Sequence, residues 1–251
     1  MPEPSAPVFE VFSGIQGEGI LVGTRQVFVR FCGCNRRCAY CDTREALAPS
    51  ATCAVEQEPG SRRFAEHPNP VSPLQVADAV AALNAFPSLH HSVSLTGGEP
   101  LLHPDFIRAL APLLRDRGLP VYLETNGTLP DALEQVVEHV RYVAMDMKLE
   151  SATGQPTPWD AHRQFLRIAA THGVQVKVVV TSMATDDELE RVAKVVNEGW
   201  FRAPVVLQPV TPTGGTRPPS PVVVLRMQEF LARRVRDVRV IPQVHKLMGQ
   251  K

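Results

Sequence analysis

The 251-residue chain has no apolar run approaching the roughly 18 residues that a membrane-spanning helix requires, so no membrane partner is expected. It has no net charge either, because 26 Lys and Arg balance 26 Asp and Glu. That balance argues against a dominant surface for nucleic acid or anionic lipid. The opening Met1-Pro-Glu-Pro-Ser-Ala-Pro7 lacks a basic flank and an apolar centre, so no secretory signal is expected. The expected compartment is the cytoplasm, where thiols stay reduced and clustered cysteines serve metals or catalysis before disulfides. A second Cys-x-x-Cys pair is also missing. A structural zinc site commonly takes two such pairs. Here the fourth ligand would have to be Cys32, Cys53 or a histidine.

What is present is ordinary for one globular domain, expected to span residues 1–251: 44% apolar and 21% charged residues. Short Val-rich runs at 26–31, 92–96, 120–125, 141–147, 174–181, 204–210 and 238–242 read as strands. Helix-length segments lie between them, near 73–86, 104–117, 130–139, 159–172, 185–198 and 221–235. Several open with Pro in the first turn or an early Asp, and Thr185-Asp-Asp-Glu188 matches a capping box. The alternation predicts an α/β fold on a mainly parallel sheet. The units are too few for a closed eight-stranded barrel, so the expectation is a partial, open β/α barrel of about six parallel strands with a reduced or irregular helical layer. A doubly wound sheet is the alternative. Residues 44–72 show little apolar periodicity and read as an irregular insertion, and 238–251 as a final strand and tail that closes the site.

In parallel α/β folds the chemistry gathers at the C-terminal ends of strands. The unusual polar motifs fall there. Cys34, Cys38 and Cys41 follow the first run with spacing C-x3-C-x2-C. Three thiolates so close can hold three corners of an iron–sulfur cube and leave the fourth iron open for a small chelating molecule. A helical cysteine stripe is the plainer reading, but Gly33, Asn35, Arg36, Arg37 and Asp42 make a poor buried helix. Cys32 reads as a packing residue at the strand end. Thr96-Gly-Gly-Glu-Pro100 follows the second run. Its glycines permit close backbone approach to a ligand, and Glu99 can accept from an ammonium; the plain alternative is a strand-to-helix turn. Asn126-Gly127 alone is a turn. Asp146-Met147-Lys148 ends the fourth run, Lys177 lies within the fifth, and Gln208-Pro-Val-Thr211 ends the sixth. Near the N-terminus, Ser13-Gly-Ile-Gln-Gly-Glu-Gly19 is either a flexible loop or a set of amides around Glu18 suited to a guanidine-like heterocycle edge. Arg30 either ends a strand in solvent or pairs with a ligand carboxylate.

With these residues in view the sequence resembles the radical S-adenosylmethionine (SAM) superfamily. Within it, the chain resembles the family that makes 7-carboxy-7-deazaguanine in queuosine (7-deazapurine) biosynthesis. The broad resemblance rests on C-x3-C-x2-C with Thr96-Gly-Gly-Glu-Pro100. The narrower one rests on Phe12-Ser-Gly-Ile-Gln-Gly-Glu-Gly19, Cys41-Asp-Thr43, Glu124-Thr-Asn-Gly127, Leu207-Gln-Pro209 and Gln243-Val-His-Lys246, which together span almost the whole chain. The resemblance implies a 4Fe-4S cluster on Cys34, Cys38 and Cys41. It places SAM on Gly98, Glu99, Asp146, Met147, Lys148, Gln208, Pro209, Val210 and Thr211. It places Mg2+ on Thr43, an oxygen donor suited to a hard cation. It assigns substrate contacts to Ile15, Gln16, Gly17, Glu18, Arg30 and Thr96. The implied reaction begins with cofactor cleavage to a 5′-deoxyadenosyl radical, which takes hydrogen from 6-carboxy-5,6,7,8-tetrahydropterin. The pterin then contracts and loses ammonia. An electron donor such as flavodoxin or ferredoxin and a homodimer are implied as well. Two rivals remain: a glycyl-radical-enzyme activase, which would not be expected to carry Gln16-Gly-Glu-Gly19, and a non-catalytic zinc-binding protein. The terminal Lys251 departs from the family pattern, in which the C-terminus can approach the substrate.

Overall fold

Alternate residues of the apolar runs face opposite ways, and this arrangement builds both the core and the site. The computed structural model describes residues 3–86 and 88–250. The chain opens with β1 (Val8–Ile15) and β2 (Arg25–Phe31). A 3-10 turn at Arg44–Leu47 follows, then β3 (Thr52–Glu56) and β4 (Phe64–Pro68). The alternation then runs α1 (Pro73–Leu83), β5 (Ser92–Gly97), α2 (Pro104–Asp116), β6 (Val121–Thr125), α3 (Pro130–Glu134) and β7 (Tyr142–Met147). It continues with α4 (Glu150–Thr153), α5 (Trp159–Ala169), β8 (Val174–Val180), α6 (Asp186–Trp200), β9 (Val205–Pro209), α7 (Pro221–Ala232), β10 (Val238–Val240) and α8 (Val244–Leu247).

The strands form one sheet in the order β10-β9-β8-β7-β6-β5-β2-β1-β3-β4. From β2 through β5 to β10 the seven neighbours are parallel, where the spacing of the runs predicts about six. The sheet is open, with β10 and β4 as its ends. Three strands lie outside the seven runs. β1 pairs antiparallel with β2, β3 pairs parallel with β1, and β4 closes a hairpin on β3. Residues 44–72 are therefore not simply irregular: they extend the sheet by two strands. The pattern hid them because β4 exposes Glu66, His67 and Pro68, as suits an edge strand. β1 was hidden because it buries polar Glu10 and Ser13.

One face of the sheet is apolar. Val93 and Leu95 on β5, Met145 and Met147 on β7, and Val176 and Val178 on β8 all join the core cluster, packed under α1, α2, α5, α6 and α7. The intervening residues, such as Ser94, Glu124, Asp146 and Lys177, face the other way and are polar. Helix starts are fixed locally. Thr185 and Glu188 form the capping box, with Glu188 N donating to Thr185 Oγ1 at 3.2 Å and Thr185 N to Glu188 Oε2 at 3.1 Å. Ser72 and Gln75 do the same for α1. No helix among the described residues is long and apolar enough to cross a membrane.

Candidate active site

The polar face lines one chamber of about 340 Å3, a size suited to small-molecule ligands. The cysteine loop forms its rim. Gly33 starts the loop with φ +85°, a value that favours glycine, and its amide donates to Ala46 O at 2.8 Å. The end of β5 presses against it. Glu99 N donates to Gly33 O at 2.8 Å, and a Cβ on Gly98 would overlap that same carbonyl and touch Cys34. The Thr-Gly-Gly motif thus sets how closely β5 approaches the cysteine loop. Cys34, Cys38 and Cys41 all line the chamber. Burial pushes the Cys34 and Cys38 thiols up, so metal binding must displace their protons. Arg36 N and Asn126 Nδ2 both point at Cys34 Sγ, at 3.4 and 3.9 Å. Among the described residues no three His, Cys, Asp or Glu side chains converge on a single-ion site. A single zinc would need such convergence, whereas a cube spreads its thiolates over separate irons. Cys32 and Cys53 are buried, neither lines the chamber, and burial raises both thiols.

A chain of charges crosses the floor. Lys148 Nζ donates to Asp146 Oδ2 at 2.6 Å and to Tyr40 Oη at 3.0 Å, and lies over the Tyr40 ring at 5.1 Å. Lys177 Nζ lies 3.4 Å from the same Asp146 oxygen and donates to Glu18 Oε2. Burial opposes every one of these charges. The opposite charges outweigh it, holding Asp146 and Glu18 low and Lys148 and Lys177 high. Gln16 Nε2 donates to Gln26 Oε1 and Glu124 Oε1, both at 2.9 Å, and Ser94 Oγ donates to the same Glu124 oxygen at 2.6 Å. Arg30 Nε donates to Glu10 Oε1 at 2.8 Å while its side chain lines the chamber beside Thr96, its neighbour on β5.

The C-terminal tail covers this floor. Val244 N donates to Gly17 O at 2.9 Å, Gln243 Nε2 to Glu18 Oε1 at 2.7 Å, and Lys246 Nζ to Asp42 Oδ2 at 2.7 Å. Burial acts against the Asp42 charge, but Lys246 and Gln243 bring its carboxyl down to about 2. The β3–β4 hairpin reaches the tail as well, through Arg62 Nη2 to Gly249 O at 2.6 Å. Lys251, where the chain departs from the family pattern, lies outside the described residues.

Most of the expected contacts meet in the chamber: Ile15, Gln16, Gly17, Glu18, Arg30, Thr43, Thr96, Gly98, Asp146, Lys148, Gln208, Val210 and Thr211. Three side chains do not. Met147 and Pro209 sit one residue out of phase on their strands. Met147 enters the core, and Pro209 faces an apolar hollow beside α7. Glu99 is fully buried and accepts from Leu101 N at 3.1 Å, Thr125 Oγ1 at 2.8 Å and Asn126 N at 2.8 Å. It ties the Asn126-Gly127 turn to β5. Tyr40, Asp42, Glu10 and His245 line the chamber without having been singled out individually. Asp42 and His245 lay inside quoted motifs; Glu10 had no such signal, because a bulge between Val8 and Glu10 breaks the alternation of β1.

Comparison with known proteins fits this architecture. The radical SAM superfamily profile matches residues 28–196. The 7-carboxy-7-deazaguanine synthase of Geobacter sulfurreducens is 46% identical over 255 residues, covering 100% of both chains. That of Methanothermobacter thermautotrophicus is 37% identical over 264 residues, covering 97% of each. The crystal structure of QueE from Escherichia coli shares the fold at TM-score 0.63 and 21% identity, covering 96% of this chain and 95% of that one. The chain belongs to the radical SAM superfamily. Within it, the chain is a member of the 7-carboxy-7-deazaguanine synthase family, which sets aside the activase and zinc-protein readings.

Membership of the superfamily implies a 4Fe-4S cluster and SAM. The chamber fits that pair. Three buried polar atoms on its walls lack a partner among the described residues: Asp146 Oδ1, Gln208 Oε1 and Arg36 Nε. Two are acceptors suited to ammonium and hydroxyl donors, and one is a donor beside the cysteine loop.

Proposed function

We propose that this chain converts 6-carboxy-5,6,7,8-tetrahydropterin to 7-carboxy-7-deazaguanine with loss of ammonia. One observation carries the reading: the cysteine loop, the Asp146 Oδ1 and Gln208 Oε1 acceptors that lack a partner among the described residues, and the Glu18 and Arg30 charges all line a single chamber. Cys34, Cys38 and Cys41 hold the cluster. Gly98, Asp146, Lys148, Gln208, Val210 and Thr211 hold SAM. When bound, cluster and cofactor supply the electron and the hydrogen-abstracting group. Arg30 takes the substrate carboxylate, and its pairing with Glu10 fixes the guanidinium plane. Glu18 accepts at the heterocycle edge, exchanging Gln243 for substrate donors, and Gln16 holds the Glu18 backbone by accepting from its amide. The tail residues 243–250 then exclude water from the reacting centre.

Mg2+ on Thr43 belongs to the same proposal. The Thr43 hydroxyl lies on the chamber wall and does not cap the turn that follows it. A small acidic flavodoxin or ferredoxin is the proposed electron donor, supported by the exposed Arg37 and Arg44 on the cysteine loop. A homodimer is proposed on the exposed Val222 and Leu225 of α7. The cytoplasm is the proposed compartment, in keeping with five free cysteines.

The test is anaerobic reconstitution, followed by incubation of the reduced protein with SAM, Mg2+ and carboxytetrahydropterin. Mass spectrometry should find 7-carboxy-7-deazaguanine. Cofactor cleavage without that product would refute the substrate assignment and leave the superfamily chemistry standing.

A further inference from the structure

Lys177 is a buried cation on the chamber wall, and neither the cofactor contacts nor the substrate contacts include it. The two-residue period of β8 turns Gln175, Lys177 and Val179 away from the core. Lys177 and Asp146 are register partners on neighbouring strands, and the ammonium lies 3.4 Å from Asp146 Oδ2. The same ammonium donates to Glu18 Oε2, and the Lys177 side chain is only 13% exposed. Each carboxylate keeps its other oxygen for something else. Asp146 Oδ1 has no partner among the described residues, and Glu18 Oε1 accepts from Gln243. Glu124 stands on the same floor, so three acids share one water-poor space with Lys177 and Lys148. Without Lys177, Glu18 would face Asp146 and Glu124 with no cation of its own. A lysine suits this position, since its compact three-donor head can serve two carboxylates at once, whereas the planar arginine fork favours a single one.

Resting on the substrate and cofactor assignments above, we propose that Lys177 is a positioning residue. It holds Glu18 and Asp146 in their ligand-accepting orientations and so pre-organises the pterin subsite and the SAM subsite together. The plainer possibility is an ion pair that serves only the fold. Removing one partner of such a pair lowers stability under either reading, because the carboxylates stay buried without their cation, so ligand affinities and not stability separate the two.

Double-variant cycles on the full-length, cluster-loaded protein separate the two. Lys177→Met keeps the length of the side chain and removes its charge. SAM dissociation constants come from the change in the reduced-cluster EPR spectrum on titration, and the pterin KM from product formation. Iron content and melting temperature are recorded for every variant. Lys177→Met should weaken SAM binding and raise the pterin KM by about ten- to hundredfold each, the range of one charge-assisted hydrogen bond. Melting temperature should fall, because two buried carboxylates lose their shared cation, while iron content should stay at the wild-type value. In an Asp146→Asn background the SAM effect should shrink to within about twofold, and in a Glu18→Gln background so should the pterin effect. Undiminished effects in both backgrounds, or losses that track iron content, overturn the proposal. Non-additivity in one cycle alone overturns the joint role. If wild-type protein makes no deazaguanine, the substrate reading fails by itself, and the SAM cycle still decides whether Lys177 positions Asp146.

Discussion

Glu99 and Asp146 are both buried acids at strand ends, yet only Asp146 faces the chamber. Glu99→Ala should therefore act on stability. It strands the Leu101 and Asn126 amides, each at a cost of about 1–3 kcal/mol, measurable by denaturant titration. Loss of SAM affinity at unchanged stability would instead make Glu99 a ligand. The cysteines divide in the same manner. Single Ala variants of Cys34, Cys38 or Cys41 should abolish the brown cluster absorbance after reconstitution, whereas Cys32→Ala should retain it, because Cys32 lies outside the chamber. Arg30→Ala is less clean than its position at a strand end would imply. It takes the cation from Glu10, whose side chain is 3% exposed, so a drop in melting temperature should accompany the loss of substrate use. These distinctions were only partly legible in the sequence. The residue types at the site were visible in their motifs, but the phase of each strand decides which neighbour reaches the ligand. Met147 and Pro209 sit inside the right motifs and on the wrong face.

Among the elements, the tail and the β3–β4 hairpin matter most to closure. α8 buries none of its residues, so removing residues 243–250 should leave the fold and iron content intact. The same truncation should raise the substrate KM and the fraction of SAM cleaved without product, read as the ratio of 5′-deoxyadenosine to deazaguanine. Gly17 offers a finer probe. A Cβ there would run into the His245 ring, so Gly17→Ala should displace the tail and mimic the truncation. Adding His245→Gly should relieve the clash, since both the ring and the Cβ of His245 stand in the way, though it would not replace any contact the ring makes with substrate. The hairpin was illegible because its strands are short and half-exposed at the sheet edge, where no apolar alternation is required. The seven parallel strands were legible for the opposite reason: each has a core face that must be apolar.

For the whole molecule, acid sensitivity follows from buried histidines. Ser13 Oγ accepts from Arg25 Nε at 2.9 Å, so its own proton is free for His90 Nε2 at 2.8 Å, and His90 Nδ1 donates to Asn84 Oδ1 at 3.0 Å. Burial, with Arg25 nearby, brings His90 down from 6.5 to about 4, and burial does the same to His162. Between those values the unfolded chain binds the extra protons, so stability should fall as pH is lowered from about 6.5 toward 4. The lowered carboxylates Glu18, Asp146 and Asp42 withdraw their support only below their unfolded values of 4.5 and 3.8. Glu99, raised by burial, opposes the histidines above its unfolded value. His90→Gln should thus flatten the decline in melting temperature between about pH 6.5 and 5, and an unchanged slope would show that His90 is not its source.

The two-faced sheet also bears on how such a chain tolerates change over time. On β5, β7 and β8, residues that set abundance alternate one by one with residues that set turnover. A saturation library scored once for soluble yield and once for product should show two profiles of period two, offset by a single residue. Drift in substrate preference can then proceed on one set of positions while the other set keeps the protein folded.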